Sequence, residues 1–439
     1  MSDHINTHPL GEMLIEAGII TRQDLRVALE SQKQVPAPLG VTLVDLGIAT
    51  EEKILPVLAF QRNRIDVHLA NDEQEPTSVA EALQRILNDA LLAGATDIHL
   101  EPYSATQAKV RVRIDGILRE MRVPQLVVTQ FPALVSRVKI MSSLDIAERR
   151  MPQEGRTTVR FNEREMDMRV SILPSRYGES VVIRILQTDI PMGLSGLGME
   201  PKMLEALEQM LARRSGLILV TGPTGCGKTT TLYACLDRLN GATRKIVTIE
   251  DPIEYTLPGA MQMQVMPQID LTFGRLLKTV LRHDPNVIMV GEIRDLETAE
   301  IAIRTALTGH LVLSTIHTND SCSTITRLLE MGIEPYLISS SLSGSIAQRL
   351  ARTICKKCNG KRCVSCLGLG LKGRTGIFEA MIMDDEIRAM TLKQTPADEV
   401  RQYARGRGMK TLFEDGMDKV RAGLTTQEEI ERVIHQDEV

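Results

Sequence analysis

The sequence contains no tryptophan, and only six phenylalanines and six tyrosines among 439 residues. Modules that bind nucleic-acid single strands stack bases on aromatic platforms, so this scarcity argues against them. No stretch approaches the ~18 apolar residues of a membrane span. There is no basic excess either. Fifty-two Lys and Arg against 56 Asp and Glu leave a net charge of -4, which speaks against the whole chain binding a polyanion. Met1 to Leu10 is polar and lacks the apolar core of a secretory signal. These absences predict a cytoplasmic protein with no nucleic-acid partner. What is present is ordinary for a globular chain: 43% hydrophobic and 25% charged residues, with length for about three domains. Cysteine is the exception. There are seven, and four of them fall between 355 and 366. In a cytosolic chain such a cluster reads as metal before disulfide.

The chain begins with an internal repeat. Pro9-Leu10-Gly11 is followed by Leu14, Gly18, Leu25, Leu29 and Gln32, and Pro38-Leu39-Gly40 by Leu43, Gly47, Ile54, Leu58 and Gln61, with matching offsets. Leu14 and Gly18 fit a short helix with a C-terminal glycine, and Leu25 and Leu29 share a face of a second helix. A small helical domain is expected over 1–68. Residues 69–78, acidic and interrupted by Pro76, read as a linker. Ser78 and Glu81 form a capping box ahead of an amphipathic helix, and Lys109 to Leu118 alternates into an Asp115-Gly116 hairpin turn. A mixed α+β domain is expected over 79–190. Beyond the glycine-rich join at 193–198, short apolar strands at 217–220, 246–249, 287–290 and 311–315 alternate with helices. That pattern predicts an α/β domain with a parallel sheet over 191–439, ending in a helical extension.

Gly222-Pro223-Thr224-Gly225-Cys226-Gly227-Lys228-Thr229, continued by Thr230, is a complete phosphate-binding loop between an expected strand and an expected helix. Its glycines let backbone N–H groups wrap phosphates at a positive helix end. Lys228 would reach the β/γ-phosphates of ATP, and Thr229 would hold Mg²⁺. Cys226 occupies a variable position and reads as tolerated there before it reads as a reactive thiol. Three more strands end in acidic or histidine residues. Glu250, Asp251 and Glu254 follow the first, Glu292 and Arg294 the second, and His317 the third, with His310 just before it. In open α/β sheets the carboxyl ends of strands line the ligand crevice.

The strings TGPTGCGKTTTLY, TIEDPIEY and IMVGEIRDLETAEIAIRTALTGHLVLSTIHTNDS resemble the secretion ATPase superfamily, the hexameric motors of type II secretion and type IV pilus assembly. They would be its Walker A, Asp box, Walker B and His box. ATDIHLEP at 95–102 and RVSILPSRYGESVVIRIL at 169–186 resemble its second N-terminal domain. The resemblance implies a RecA-like ATPase domain preceded by a PAS-like domain. It also implies roles: Glu250 orienting or deprotonating the attacking water, Glu292 acting through Mg²⁺, His317 sensing the γ-phosphate, and Arg169 and Arg184 serving as arginine fingers. A homo-hexamer, an inner-membrane platform protein, a membrane anchor and peripheral attachment to the inner membrane are implied with it. Ser180 departs from the family, which has Arg after the preceding Gly-Glu pair.

Cys355, Cys358, Cys363 and Cys366 offer the four thiolates of a structural Zn²⁺ site, though with a shorter interval between the two pairs than relatives have. From Arg349 to Arg374 there are eight basic and no acidic side chains. These offset the charge of the metal centre, or else face an anionic membrane. The N-terminal repeats resemble a cyclic di-GMP-binding domain, but Pro9 and Pro38 stand where that family has Arg. A docking module is the competing reading. For the whole chain the alternatives are a pilus retraction motor and a nucleotide-gated scaffold with little turnover.

Overall fold

The computed structural model describes residues 10–16, 18–34, 39–50, 53–54, 64–65, 76–104, 106–162, 164–186, 193–366 and 368–435. Pro9, Pro38, Leu58, Gln61 and most of the 69–78 segment lie outside them. The chain forms two compact units. One comprises Met1–Thr188 with Ile354–Gly373, the other Asp189–Thr353 with Arg374–Val439.

In the first unit, helices α1 (Leu10–Glu16), α2 (Arg22–Gln34) and α3 (Leu39–Asp45) carry the repeat. Gly18 and Gly47, at matching positions, take φ of +66° and +69°, where a side chain would be strained. The buried pairs Leu10 and Leu39, Leu14 and Leu43, and Ile20 and Ala49 share one cluster. The sequence repeat is therefore a repeat of packing.

Helix α4 (Val79–Leu92) starts at Ser78, whose hydroxyl accepts from the Glu81 N–H at 3.2 Å. The Glu81 carboxylate reaches back to the Thr77 N–H at 2.8 Å, one residue earlier than a capping box would place it. The seven-stranded sheet comprises β1 (Arg64–Ile65), β2 (Ala95–Ser104), β3 (Gln107–Ile114), β4 (Ile117–Met121), β5 (Gln153–Phe161), β6 (Arg164–Ser175) and β7 (Gly178–Ile185). Its order is β1-β4-β3-β2-β7-β6-β5. Asp115 and Gly116 turn between β3 and β4 with positive φ at both, as a type I′ hairpin requires. Alternate residues Ile98, Leu100, Val110, Val112, Val170, Ile172, Val181 and Ile183 are buried against α4 and α5 (Phe131–Met141). Each contributes about 1.5–3 kcal/mol if fully buried. With the pleat fixed this way, the intervening polar residues take the other face.

The second unit has its own sheet: β8 (Gly216–Thr221), β9 (Ile246–Glu250), β10 (Met261–Gln264), β11 (Val287–Val290), β12 (Leu311–Ile316), β13 (Leu342–Ile354) and β14 (Leu371–Ile382). The order is β10-β9-β11-β12-β8-β13-β14. Strands β10, β9, β11, β12, β8 and β13 are parallel to their neighbours in that series. Every residue of β8, β9, β11 and β12 is buried, the signature of a parallel sheet covered on both faces. Among the described residues the extension after Asp384 carries four helices: Asp385–Leu392, Ala397–Gly406, Leu412–Arg421 and Gln427–His435. Its last helix is clasped to β13 through Glu429, which accepts from Arg352 at 2.7 Å and Arg432 at 2.6 Å. Burial opposes the charge on Glu429, but the two guanidiniums outweigh it and hold its pKa down to about 2.

Candidate functional site

Strand β8 runs into the phosphate loop, and helix α6 (Lys228–Leu239) leaves it. Gly222, Gly225 and Gly227 all have positive φ. At Gly222 a methyl group would stand 2.6 Å from the Gln348 carbonyl and 2.7 Å from the Cys226 sulfur, so only glycine fits. The Lys228 ammonium donates to the carbonyls of Gly222 at 2.7 Å and Pro223 at 3.0 Å, inside its own loop. Burial lowers its pKa, with the Arg349 charge adding to the effect and Glu292 opposing it. Bound phosphate would relieve that cost. Thr229 is exposed at the first turn of α6, open to a cation, whereas Thr230 faces the Tyr255 hydroxyl. Cys226 is buried, and burial raises its thiol pKa. It is a packing residue, not a reactive thiolate.

At the ends of the neighbouring strands the structure joins three of the expected residues. Glu292 lies 2.5 Å from Arg294 and 3.7 Å from His317 Nε2, and its charge is felt at Lys228. Burial, with Lys228 next, lowers the His317 pKa despite Glu292. Backbone ties fix this arrangement. The Thr315 hydroxyl donates to the Gly291 carbonyl at 2.8 Å, and Thr221, at the foot of the phosphate loop, accepts from the Thr318 N–H at 2.7 Å. Asp251 is exposed and lies in the field of Arg294. Asp295 is a helix cap, accepting from the Thr298 N–H at 2.8 Å.

The structure adds surroundings that the sequence did not show for two expected residues. Glu250 is 4% exposed, and its carboxylate accepts from Tyr233 at 2.6 Å, Thr248 at 2.6 Å and Gln262 at 3.1 Å. Through these bonds Glu250 knits β9 to α6 and β10. Glu254, on the loop that follows, is half-buried, and no hydrogen bond to its side chain occurs among the described residues. His310 precedes β12 while His317 follows it. Six strand residues separate the two, about 20 Å. The His310 ring faces the Thr305 carbonyl at 3.1 Å, at the sheet edge opposite the phosphate loop.

The polar face of the first unit's sheet carries Arg169 and Arg184 as direct cross-strand partners. Register extends the row: Arg156 pairs with Arg169, Asp97 with Arg184, and Arg113 with Asp97. Asp97 holds Arg184 at 2.9 Å, with Arg113 at 3.8 Å. Four guanidiniums and one carboxylate thus lie in line across five strands. Like charges facing each other on a sheet are costly, and Asp97 offsets that cost for Arg184 and Arg113. Arg113, Arg156 and Asp97 were not singled out by sequence reasoning. Only the alternation of polar residues in those strands hinted at them.

The four cysteines of the 355–366 segment place their Sγ atoms within 4.8 Å of one another. Sγ pairs 355–363, 358–366 and 363–366 are each 3.8 Å apart. A tetrahedral site with Zn–S of about 2.3 Å has edges of about 3.8 Å, so the set fits zinc. The Cys363 and Gly370 N–H groups point at the Cys366 sulfur at 3.2 Å, as in a metal knuckle.

Comparison with known proteins bears on the family and the fold. The model of the family described as "Type II/IV secretion system protein" matches residues 72–432. The type II secretion system protein HxcR of Pseudomonas aeruginosa is 47% identical over 371 residues, 82% of this chain and 78% of that protein. The type II secretion system ATPase E of Vibrio cholerae is 43% identical, over 82% of this chain and 76% of its own. Among solved structures, the pilus retraction motor PilT with bound ADP is 30% identical with a TM-score of 0.57, covering 81% of this chain and 98% of that one. The ATPase DotB of Legionella pneumophila shares the fold, at TM-score 0.64 and 24% identity over 82% of this chain and 97% of its own.

Proposed function

This chain belongs to the type II/IV secretion system protein family, and from that premise we propose that its ATP hydrolysis powers type II protein secretion. The observation that carries the reading is the convergence of Lys228, Glu292 and His317 at the carboxyl ends of a parallel sheet. Lys228 and the loop amides would bind the phosphates of ATP, and Thr229 and Glu292 would hold Mg²⁺, which would supply positive charge to offset theirs. His317, beside Glu292, offers a hydrogen bond to a γ-phosphate. Water activation falls to Glu254, the half-buried Asp-box carboxylate left open, rather than to Glu250. Arg169 and Arg184 serve as the cationic fingers. Purified protein with Mg²⁺ and ATP should release phosphate steadily, and Glu292→Ala should slow release about a hundredfold. Tight ATP binding without turnover in the unaltered protein would favour a nucleotide-gated scaffold instead.

The working form is proposed to be a homo-hexamer acting on an inner-membrane platform protein, attached peripherally with the help of a membrane anchor. The domain layout is read as helical docking module, arginine-bearing lid and motor. The exposed cations Lys356, Lys357, Lys361 and Arg362 around the cysteine cluster support a surface toward anionic lipid. Cys355, Cys358, Cys363 and Cys366 would hold Zn²⁺, which closes the segment structurally. Metal analysis should return about one zinc per chain. Intact thiols with no metal would remove the assignment. The helical repeats are read as docking rather than sensing, because Pro9 and Pro38 lack the donors an arginine would offer a guanine. Calorimetry with cyclic di-GMP should show no binding heat at high micromolar ligand, whereas a saturating isotherm would make the repeats a sensor.

A further inference from the structure

Strand β13 lies beside β8, with Ala347 opposite Thr221, so its next two residues pass directly behind the phosphate loop. Both carry long polar side chains, and both are buried: Gln348 is 2% exposed and Arg349 4%. The Gln348 amide bridges two parts of the nucleotide site. Its Nε2 donates to the Cys226 carbonyl at 2.7 Å, and its Oε1 accepts from the Thr231 hydroxyl at 2.7 Å. It thereby joins the loop to the first turn of α6. The Arg349 guanidinium makes a second bridge. Nη1 donates to the Gln348 carbonyl at 2.9 Å and Nη2 to the Asn319 carbonyl at 2.9 Å. Asn319 stands two residues beyond His317. Nη1 also lies 3.0 Å from where a side chain on Gly222 would begin, and its charge reaches Lys228.

We infer that Gln348 and Arg349 are positioning residues for phosphoryl transfer, Gln348 bracing the phosphate loop and Arg349 holding the loop that carries His317 in register with it. The inference rests on the ATPase reading above. Burying a guanidinium is costly, and it is retained where a planar fork must satisfy two fixed acceptors at once. Here the two acceptors belong to the strand behind the phosphates and to the loop in front of them. A shift of about 1 Å in such a support can cost about a hundredfold in rate. Neither side chain need touch ATP, so the effect should fall on turnover more than on binding.

The test uses the full chain. Arg349→Lys keeps the charge but cannot span both carbonyls. It should lower kcat at least about tenfold, with affinity for a fluorescent ADP analogue within about threefold of the unaltered protein. Thr231→Val removes the donor to Gln348, and Thr231→Ser restores it. The valine variant should show the same split, and the serine variant should recover most of the rate. If Arg349→Lys does not fold, the Thr231 pair carries the test. Unchanged kcat in Arg349→Lys, or equal rates in the two Thr231 variants, would overturn the inference, and so would a loss of ADP affinity as large as the loss of rate. ADP binding in the variants together with turnover in the unaltered protein keeps the underlying ATPase reading intact whichever way the test falls.

Discussion

Glu254→Gln should reduce kcat by about a thousandfold while leaving ATP binding and thermal stability near their original values, because a general base contributes about 10²–10⁴. Glu250→Gln should do the reverse in its first effect. The Glu250 carboxylate accepts three hydrogen bonds while almost completely buried. Glutamine offers one acceptor oxygen in place of two and brings an amide donor. The buried donors lose an acceptor, at a cost of about 1–3 kcal/mol. Tyr233 is the partner most affected, since its ring also packs edge-on against Tyr255 at 5.2 Å. Loosening it moves α6, and with it Lys228. Some loss of rate should therefore accompany Glu250→Gln, but with a lower melting midpoint and weaker nucleotide binding. Phosphate release, ADP-analogue affinity and thermal melts on both variants separate the two cases. If Glu250→Gln melts normally and loses turnover while Glu254→Gln hydrolyses ATP at the original rate, the water-activating role returns to Glu250.

The reason the sequence pointed to Glu250 lies in what a motif encodes. The phosphate loop is legible because its geometry is local. Gly222, Gly225 and Gly227 are needed where φ is positive, and a strand and a helix must flank them. Whether a strand-end carboxylate is open is not a local property. For Glu250 it is decided by Tyr233 and Gln262, seventeen residues before and twelve after. His310 shows a related limit. Two histidines either side of an apolar run read as neighbours, yet in a strand they are at opposite ends. His317 alone sits where β12 meets the ligand edge. The parallel sheet was readable for the opposite reason: β8, β9, β11 and β12 are dominated by apolar residues without period-two alternation, and full burial is what produces such runs. Gln348 was invisible because its importance comes from lying beside Gly222 in space, with more than a hundred residues between them.

Register supplies the other feature that sequence could not. Arg169 and Arg184 stand out individually, but only strand pairing puts Arg156 and Arg113 in their row, with Asp97 as its acidic member. Removing Arg184 should therefore show more than the loss of one charge. An arginine finger is worth about 10³–10⁵ in kcat, so Arg184→Ala should fall by at least about a thousandfold with ATP-analogue binding little changed. Arg184→Lys should recover only part of this, since an ammonium cannot hold Asp97 through Nε and present a fork to phosphate as well. Asp97→Asn gives the discriminating intermediate. The asparagine oxygen can still accept from Arg184 Nε, but the charge paired with Arg184 and Arg113 is gone. Its rate should fall by about tenfold, because orientation is kept and only the charge-assisted part of the bond is lost. A merely structural row would behave otherwise. Asp97→Asn would then be the most damaging change, by repulsion, and would show as a lowered melting midpoint. Single-turnover phosphate release measured beside thermal melts distinguishes the two, and Arg184→Ala turning over at the original rate would remove the row from the mechanism altogether.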